Sequence, residues 1–308
     1  MSIASNGSAT PPPRKRTFKV TALDVVIIGL AIALIGYVVY RVSNELVYRW
    51  DWIRVIDFFV YYDEESGSWR QNILLEGMII LVRICIWSSI FGLILGLIFG
   101  VCRISDTLLL RLISRGYVEF VRNIPPVPFF FIMFFFVGNQ LLRPLDLSEL
   151  AQSTSPFWQE VMLFLFGDFN VLRNFAAAVL TLAIYEGAYV TEIVRAGIQS
   201  IERGQWEAGR SLGLTRYQQL RNIILPQAIQ RITPPLTNQS IQLIKDSALV
   251  SLLSVQELTF MGMEVAHSTA RVFETWIIVG VMYFVVCYGL ARQFARLERR
   301  MNRSRASG

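Results

Sequence analysis

The stretch EAGRSLGLTRYQQLRNIILP, from Glu207 to Pro226, is a polar segment in a chain that is otherwise mostly apolar. Of the 308 residues, 54% are hydrophobic and only 17% are charged, and the mean hydropathy is +0.46. Apolar runs lie on both sides of the segment, as in a protein that crosses a membrane several times. A polar segment rich in helix-forming residues indicates a surface that a partner outside the membrane binds.

This segment has the sequence features of two short helices joined by a glycine turn. Gly204 precedes a predicted helix over Gln205–Leu212, and Gly213 suits the left-handed residue that ends such a helix. Thr215 suits the N-cap of a second helix. Near the start of the next apolar run, the missing N–H of Pro226 costs little. The apolar side chains of the segment therefore need a groove on a partner.

Composition argues against several functional classes. The net charge of +6 comes from arginines beside apolar runs, and no nucleic-acid module is present, so nucleic acid is not a predicted partner. Cys85, Cys102 and Cys287 fall in or at the ends of apolar runs without metal-ligand spacing, which predicts simple packing. His267, the single histidine, has no predicted role. We predict no catalytic residues, no metal site and no cofactor.

Six stretches approach or exceed the length needed to cross a hydrocarbon core about 30 Å thick. The third contains Pro125, Pro126 and Pro128, and the fifth contains Pro234 and Pro235, so both are predicted to be interrupted. The predicted fold class is all-α, a polytopic helical bundle. The predicted spans are Ala22–Val42, Ile73–Cys102, Tyr117–Leu142, Val171–Ile193, Ala228–Leu253 and Thr275–Ala295.

The distribution of basic residues predicts that both termini are cytoplasmic. The opposite side then receives the mixed or acidic segments YYDEESGS and LRPLDLSELAQ, and the segment Glu207–Pro226 is cytoplasmic. The predicted location is a bacterial inner (plasma) membrane. With this orientation the cytoplasm receives 18 of the 29 Lys and Arg residues, namely Arg14, Lys15, Arg16, Lys19, Arg103, Arg111, Arg115, Arg195, Arg203, Arg210, Arg216, Arg221, Arg292, Arg296, Arg299, Arg300, Arg303 and Arg305.

The spacing within the polar segment resembles that of binding-protein-dependent ABC importer permeases. Their pattern is Glu-Ala-Ala, three residues, Gly, nine residues, Ile, one residue and Leu-Pro. The one departure here is a glycine in place of the second alanine, which lowers helix propensity by roughly 1 kcal/mol at most. The resemblance implies that the 204–217 loop is a coupling helix that docks on a separate ATPase subunit. Every interval matches, in Glu207, Ala208, Gly209, Gly213, Ile223, Leu225 and Pro226.

Longer stretches, such as YVEFVRNIPPVPFFFIMFFF, resemble the polar amino acid permeases of the histidine, glutamine and arginine type over Glu76–Arg292. Those permeases have five spans, so Ala22–Val42 is one extra N-terminal helix, and Arg143–Asn170 is a longer loop. The resemblance implies a permease that performs no chemistry itself and carries a polar amino acid. The implied partners are an ABC ATPase subunit dimer, a second permease (a related chain or a second copy), a substrate-binding protein and the lipid bilayer.

Four regions follow from these observations. They are an N-terminal cytoplasmic tail, 1–21; the extra helix with an extracytoplasmic segment, 22–72; a permease domain, 73–295, with the coupling loop 195–226; and a basic cytoplasmic tail, 296–308. Within the first tail, residues 1–13 are rich in Ser, Pro and Gly and are predicted to be disordered. The first apolar run is too long for a signal peptide and lacks a cleavage pattern, so we predict that it is retained.

Charged residues inside membrane spans are costly, so each is a candidate for the substrate pathway. Lys245, Asp246 and Ser247 follow the apolar run SIQLI, and the chain has only three lysines. Lys245 and Asp246 either neutralise each other or bind the two charges of an amino acid zwitterion. In the resembling family this stretch lies near the translocation pathway.

Four other residues are candidates for the pathway. Glu186, in the run LAIYEGAYV, either lines the pathway or pairs with Arg83 of the second span. Arg122 and Asn123 precede the proline break and suit the end of a discontinuous helix. Glu119 lies one turn before Arg122 and is its predicted ion-pair partner.

Two further patterns predict contacts between helices. Gly92, Gly96 and Gly100 repeat every four residues and predict tight packing on one helix face. Glu192 and Arg195 are spaced for a salt bridge at the cytoplasmic end of a span.

The alternative function is an ion-coupled secondary transporter, with Glu186, Arg83, Lys245 and Asp246 as the coupling charges. That class predicts inverted internal repeats, and none is visible in the sequence. It also leaves the polar segment at 207–226 without a role.

Overall fold

The computed structural model describes residues 21–45, 48, 50–64 and 67–306 of the chain. The predicted disorder of residues 1–13, and nearly all of the predicted tail 1–21, lie outside this part. Helix α1, Ala22–Glu45, contains the first predicted span. It belongs to one compact unit, and the chain from Asp51 onward forms a second.

The second unit is mostly helical, which confirms the predicted all-α class. Short π-helical segments at 137–142 and 220–224 and short 3-10 segments at 143–145, 169–171 and 247–253 connect some of its helices. In chain order the helices are α2 (Trp52–Ile56), α3 (Ile73–Arg103), α4 (Leu108–Asn123), α5 (Pro126–Phe136), α6 (Leu147–Gln152), α7 (Pro156–Phe166), α8 (Leu172–Gln199), α9 (Arg203–Ser211), α10 (Arg216–Gln219), α11 (Leu225–Asp246), α12 (Leu258–Thr269) and α13 (Val272–Ala306).

A small antiparallel hairpin precedes α3 and was not predicted. Its strands are β1 (Val60–Asp63) and β2 (Ser68–Gln71). Tyr62 and Trp69 are paired across it, and their rings lie 5.5 Å apart in an edge-to-face arrangement. Aromatic cross-strand pairs stabilise strands this short, which explains a hairpin outside the helical pattern.

The centre of the second unit is the packing of α3 against α8, where glycines let the two helices approach closely. A Cβ at Gly96 would collide with Val190, and a Cβ at Gly100 would lie 2.6 Å from Cγ1 of Val194. Gly92, one turn earlier, is buried in the same contact. The predicted small-residue face is therefore confirmed.

The predicted third span, Tyr117–Leu142, is two separate helices. The chain is extended at Ile124 and at Pro125, with ψ of 134° and 141°. A residue before proline is disfavoured in the helical region, and Pro126 then begins α5 because its φ suits a first helical residue. The apolar stretch long enough to cross a membrane is Pro126–Leu145. The predicted start at Tyr117 was wrong, because it falls within the amphipathic helix α4.

The predicted interruption of the fifth span at Pro234 and Pro235 was also wrong, because α11 continues through both residues. Each proline removes one N–H from the helical ladder, and membrane helices tolerate this where neighbours cover the freed carbonyls. The break comes later, around Ser254, where the backbone is left-handed with φ of 58°. There Arg216–Leu253 and Leu258–Thr269 meet at a bend of 54°.

By length and composition, five described helices can cross a membrane, and the count is six if the bent pair forms one span. The long segment between the third and fourth predicted spans folds into α6 and α7. Segment 51–72 packs on the later helices of the second unit: Val55 is fully buried, and the backbone N–H of Asp51 donates to Oε1 of Glu274 at 2.8 Å.

Candidate functional site: the 204–217 loop and a charged cavity

The 204–217 loop begins with α9, which ends in a glycine C-cap. The N–H of Leu214 donates to the carbonyl of Gly209 at 3.1 Å, and the N–H of Gly213 donates to the carbonyl of Arg210 at 2.9 Å. This pair of bonds closes a helix when the residue after the cap is left-handed, and Gly213 has φ of +72°. The glycine turn is confirmed, and the predicted helix is present, but it spans Arg203–Ser211, so Gly204 lies inside it and not before it.

A reciprocal cap starts the second helix of the loop. The Thr215 side chain accepts a bond from the N–H of Gln218 at 3.3 Å, and Oε1 of Gln218 accepts from the N–H of Thr215 at 2.9 Å. From Arg216 the chain is helical through the π-helical segment into α11, where Pro226 is the second residue. The predicted N-cap at Thr215 is confirmed.

Gly209, the departure from the family pattern, lies at a close contact inside the loop. A Cβ at this position would lie 2.9 Å from Cγ of Gln219 and 3.2 Å from Cδ1 of Ile223. Gln219 is buried, and its Nε2 donates to the carbonyl of Leu214 at 2.7 Å, so it has little freedom to move. Packing therefore accounts for the glycine, which helix propensity alone disfavours.

The outer surface of the loop presents apolar and acidic side chains. Leu212 is 76% exposed and Tyr217 is 68% exposed. Glu207 and Ala208 are exposed beside them, and the Glu207 carboxylate makes no hydrogen bond or ion pair within the described residues. Leu225 packs instead into the apolar cluster behind the loop. The exposed groups form a surface on which another protein can dock.

Polar contacts fix the loop to the end of α3. Arg216 forms an ion pair with Asp106, and its Nη2 donates to the carbonyl of Ile104 at 3.1 Å. Nε2 of Gln227 donates to Oε1 of Gln205 at 3.2 Å, which links the start of α11 to α9. A force on the loop is thus applied to the ends of two long helices.

A charged cavity of about 560 Å³ lies between α4, α8 and α11. Glu192 bridges two arginines at its wall, at 3.1 Å from Nη2 of Arg103 and 2.7 Å from Nη2 of Arg195. The predicted pairing of Glu192 with Arg195 is confirmed. The charged and amide side chains that line the cavity are Arg122, Glu192, Arg195, Arg231 and Gln239.

Arg122 enters this cavity with its guanidinium carbon 5.2 Å from the ring centroid of Tyr189, at cation–π distance. The predicted pairing of Arg122 with Glu119 was wrong. Glu119 pairs with Arg115 at 3.0 Å, one turn in the other direction, because Arg122 turns towards α8. Asn123 is exposed at the last position of α4.

Glu186 is buried in α8, and its Oε2 accepts a hydrogen bond from Nε2 of Gln239 at 3.0 Å. The alternative pairing with Arg83 is wrong. Glu186 lies opposite Gly92, where a Cβ would be 3.2 Å from its own Cβ. Arg83 is nine residues earlier in α3, which is about 14 Å along the helix axis. The two charges lie at different depths.

The Lys245–Asp246–Ser247 stretch ends α11. Asp246 accepts a bond from Nε2 of Gln242 at 2.8 Å, whereas Lys245 is exposed and makes no ion pair with it. Ser247 is fully buried and donates to the carbonyl of Ile244 at 2.7 Å. Lys245 and Asp246 therefore form no direct ion pair among the described residues, and the choice between mutual neutralisation and substrate binding stays a prediction.

Sequence reasoning missed the amide partners of these charges. Gln239 and Gln242 lie on the face of α11 that also carries Arg231, Pro235 and Asp246. In sequence order these five residues are separated by four, four, three and four positions. Residues with that spacing lie on one side of a helix, so the spacing alone could have revealed this face.

No cluster of three or more potential metal ligands occurs among the described residues. Nδ1 of His267 lies 2.7 Å from the carbonyl of Met263. Cys85, Cys102 and Cys287 are free thiols. These residues take no part in the loop or in the charged cavity.

Comparison with known proteins agrees with this arrangement. Residues 92–303 match the family model described as binding-protein-dependent transport system inner membrane component. The probable glutamine ABC transporter permease protein GlnM of Bacillus subtilis is 34% identical over 211 residues, which cover 68% of this chain and 85% of that protein. The glutamine transport system permease protein GlnP of Escherichia coli is 32% identical over 241 residues, which cover 77% of this chain and 96% of that protein.

A crystal structure of an amino acid ABC transporter with histidines is also similar. Its matched chain has a TM-score of 0.61 and 28% sequence identity, and the match covers 82% of this chain and 100% of that chain. The fold, the loop motif and these matches lead to one assignment. The chain belongs to the family of binding-protein-dependent transport system inner membrane components, the membrane-spanning permeases of ABC importers.

Proposed function

We propose that this chain is the permease subunit of an ATP-driven importer of polar amino acids, and that a separate ATPase drives it through the 204–217 loop. The observation that carries the proposal is the loop geometry. Two capped helices, α9 and α10, and the turn between them present Glu207, Leu212 and Tyr217 to the exterior, and Arg216 ties the same loop to the end of α3. A surface with apolar exposure and fixed geometry is suited to transmit movement from a docked protein.

The proposed orientation places both termini and the loop in the cytoplasm, where ATP is available. The arginine-rich segments support it, because positively charged segments are retained on that side. In this arrangement ABC ATPase subunits, as a dimer, contact the loop, and a substrate-binding protein delivers the substrate to the other side. Two permease subunits are needed to enclose a pathway, so the second is a related chain or another copy of this one.

The proposed substrate class follows from the relatives and from the polar groups between α8 and α11. The two curated relatives described above are named for glutamine. A zwitterion needs both a cation and an anion in a low-dielectric passage, because an unpaired buried charge costs several kcal/mol. Lys245 and Arg122 supply positive charge, and Glu186 and Asp246 supply negative charge. Glu186 already has a partner on the opposite helix in Gln239.

The remaining candidate residues have separate places in this proposal. Asn123 is exposed next to Arg122 in the chain but does not line the charged cavity, so its proposed role is at the end of α4 beside it. Ser247 is buried behind Asp246 and reaches the pathway only if the end of α11 moves. Arg83 lines a different cavity, so its role is distinct from that of Glu186.

The experiment that tests the function is uptake by proteoliposomes that contain the chain with its co-purifying ATPase and binding protein. We expect uptake of a labelled polar amino acid to require ATP on the side of the membrane where the ATPase is bound. We expect uptake to stop when ATP is replaced by a non-hydrolysable analogue. Uptake driven by an ion gradient without ATP would contradict the proposal and favour the secondary transporter.

A further inference from the structure

A second cavity, of about 530 Å³, lies towards the end of α3 that is remote from the 204–217 loop. Arg83 lines it together with Glu76, Asp168 and Asn174. The guanidinium of Arg83 and the carboxylate of Glu76 make no hydrogen bond or ion pair within the described residues. Arg83 is half-buried within a membrane-spanning helix, where an unpaired charge marks a candidate functional site, and Glu76 is exposed in the first turn of the same helix.

The backbone around Gly167 closes over Arg83. Gly167 has φ of +92°, and a Cβ there would lie 3.1 Å from Nη1 of Arg83. Nε1 of Trp87 donates to the carbonyl of Leu165 at 3.2 Å, which holds this segment against α3. The left-handed glycine thus leaves room for the arginine head at the wall of the cavity.

A third cavity, of about 320 Å³, adjoins the second and is apolar. The two cavities share Phe166 and Phe175 as lining residues. Trp87 and Phe91 of α3 line the apolar one, and the Trp87 ring stacks on Phe166 with centroids 5.0 Å apart. Because Arg83, Trp87 and Phe91 are spaced by four residues, they lie on one face of α3, with the charge nearer the helix start.

We propose that the two adjoining cavities bind one phospholipid with a zwitterionic, ammonium-bearing headgroup. Its phosphate binds Arg83, because a guanidinium donates paired hydrogen bonds to phosphate oxygens. Its ammonium binds Glu76 and Asp168, and part of one acyl chain fills the apolar cavity beside Trp87. With the orientation proposed above, this lipid belongs to the leaflet remote from the ATPase.

The charges and the shape favour this occupant over two others. An anionic headgroup leaves Glu76 and Asp168 without a cation. Within the described part of the chain, Oδ1 of Asp168 has only neutral hydrogen-bond donors, the backbone N–H and Nδ2 of Asn170, at 2.9 and 3.0 Å. A free amino acid satisfies the charges but leaves the neighbouring 320 Å³ of apolar space unfilled. A phospholipid with an ammonium-bearing headgroup combines an anionic group, a cation and a hydrocarbon chain, and so matches the charged and the apolar lining together.

The test is native mass spectrometry of the full-length chain, purified with the subunits that co-purify with it. Phosphatidylethanolamine and phosphatidylglycerol are titrated separately. Arg83→Gln should lower the retention of both lipids by about tenfold, because it removes a charged hydrogen-bond donor to phosphate. Glu76→Gln should lower the retention of phosphatidylethanolamine alone. Arg173→Gln, at an exposed arginine in the first turn of α8 and outside both cavities, is the matched control and should retain both.

Equal retention by the Arg83→Gln and Arg173→Gln proteins would overturn the proposal. So would an equal response of the two lipids to Glu76→Gln, or displacement of bound lipid by free glutamine. A second measurement does not depend on the charged variants. Phosphatidylethanolamine with brominated acyl chains should quench tryptophan fluorescence, and Trp87→Phe should reduce the quenched fraction. An unchanged quenched fraction would contradict the placement of the acyl chain.

Discussion

Replacing Gly209 by alanine restores the residue of the family pattern, and we expect it to destabilise the loop. Helix propensity alone predicts a gain of about 1 kcal/mol, because alanine is favoured over glycine within a helix. The added methyl group would lie 2.9 Å from Cγ of Gln219, which is buried and hydrogen-bonded to the carbonyl of Leu214. Overpacking of this kind costs about 1 to 3 kcal/mol. The net expectation is a loss of about 1 kcal/mol.

Hydrogen exchange of the loop amides measures this loss. The N–H of Leu214 donates to the carbonyl of Gly209, so its exchange reports opening of the helix end. A loss of about 1 kcal/mol predicts exchange about fivefold faster in the Gly209→Ala protein. Slower exchange than in the unmodified chain would refute the packing argument.

The Gln219→Ala background is the matched control. It removes the Cγ atom that obstructs a side chain at position 209. In this background Gly209→Ala should slow exchange, because the higher helix propensity of alanine now outweighs the one close contact that remains. That contact is with Cδ1 of Ile223, the end of a flexible side chain. If the sign of the effect is the same in both backgrounds, contact with Gln219 is not its cause.

Three further predictions concern coupling, assembly and substrate. Gly213→Val should abolish ATP-driven uptake without loss of membrane insertion, because a β-branched residue in the left-handed conformation costs about 1 to 2 kcal/mol. Gly213→Asn should retain uptake, because asparagine tolerates that conformation. Loss of uptake in both variants would indicate an effect of the added side chain and not of the backbone. Glu207→Lys should reduce the amount of ATPase pulled down with the chain, and Glu160→Lys, at another exposed glutamate, should not. Equal recovery of the ATPase with both variants at moderate salt would count against the docking site. Asp246→Asn and Lys245→Gln should lower uptake more than expression, and wild-type uptake in both would make the pair structural.

The fold class, the loop and the existence of most spans were predictable because each follows from local sequence. Apolar length defines the spans, and the left-handed backbone at Gly213 and the cap at Thr215 depend on residues within one turn. The break before α5 was predictable for the same reason, since a proline restricts the residue that precedes it. These features need no knowledge of the tertiary contacts.

The partners of Arg122 and Glu186 were not predictable, because they depend on how helices face each other. Arg122 had an acidic residue one turn away, yet it stacks on Tyr189 of another helix. Glu186 had a plausible partner in Arg83 but bonds to Gln239, because the packing at Gly92 fixes its depth along α3. Neutral amides such as Gln239 do not stand out in a sequence search for charges.

The path of α11 was mispredicted for a related reason. Local rules favour a break at Pro234 and Pro235, but the helix runs through them, and the break occurs near Ser254. Packing of α11 against α8 and α13 holds the helix together despite two missing N–H donors. Tertiary contacts therefore decide where this span bends.

The most direct test of the central claim is site-specific photo-crosslinking in the assembled transporter. A photoreactive residue at Leu212, which is 76% exposed in the loop, should form an adduct with the ATPase subunit. The control position is Trp69, which is 71% exposed just before α3, about 46 Å along that helix from the end tied to the loop. The account predicts an ATPase adduct from position 212 and none from position 69. An assembled complex with no ATPase adduct from position 212, or with equal adducts from both, would contradict it.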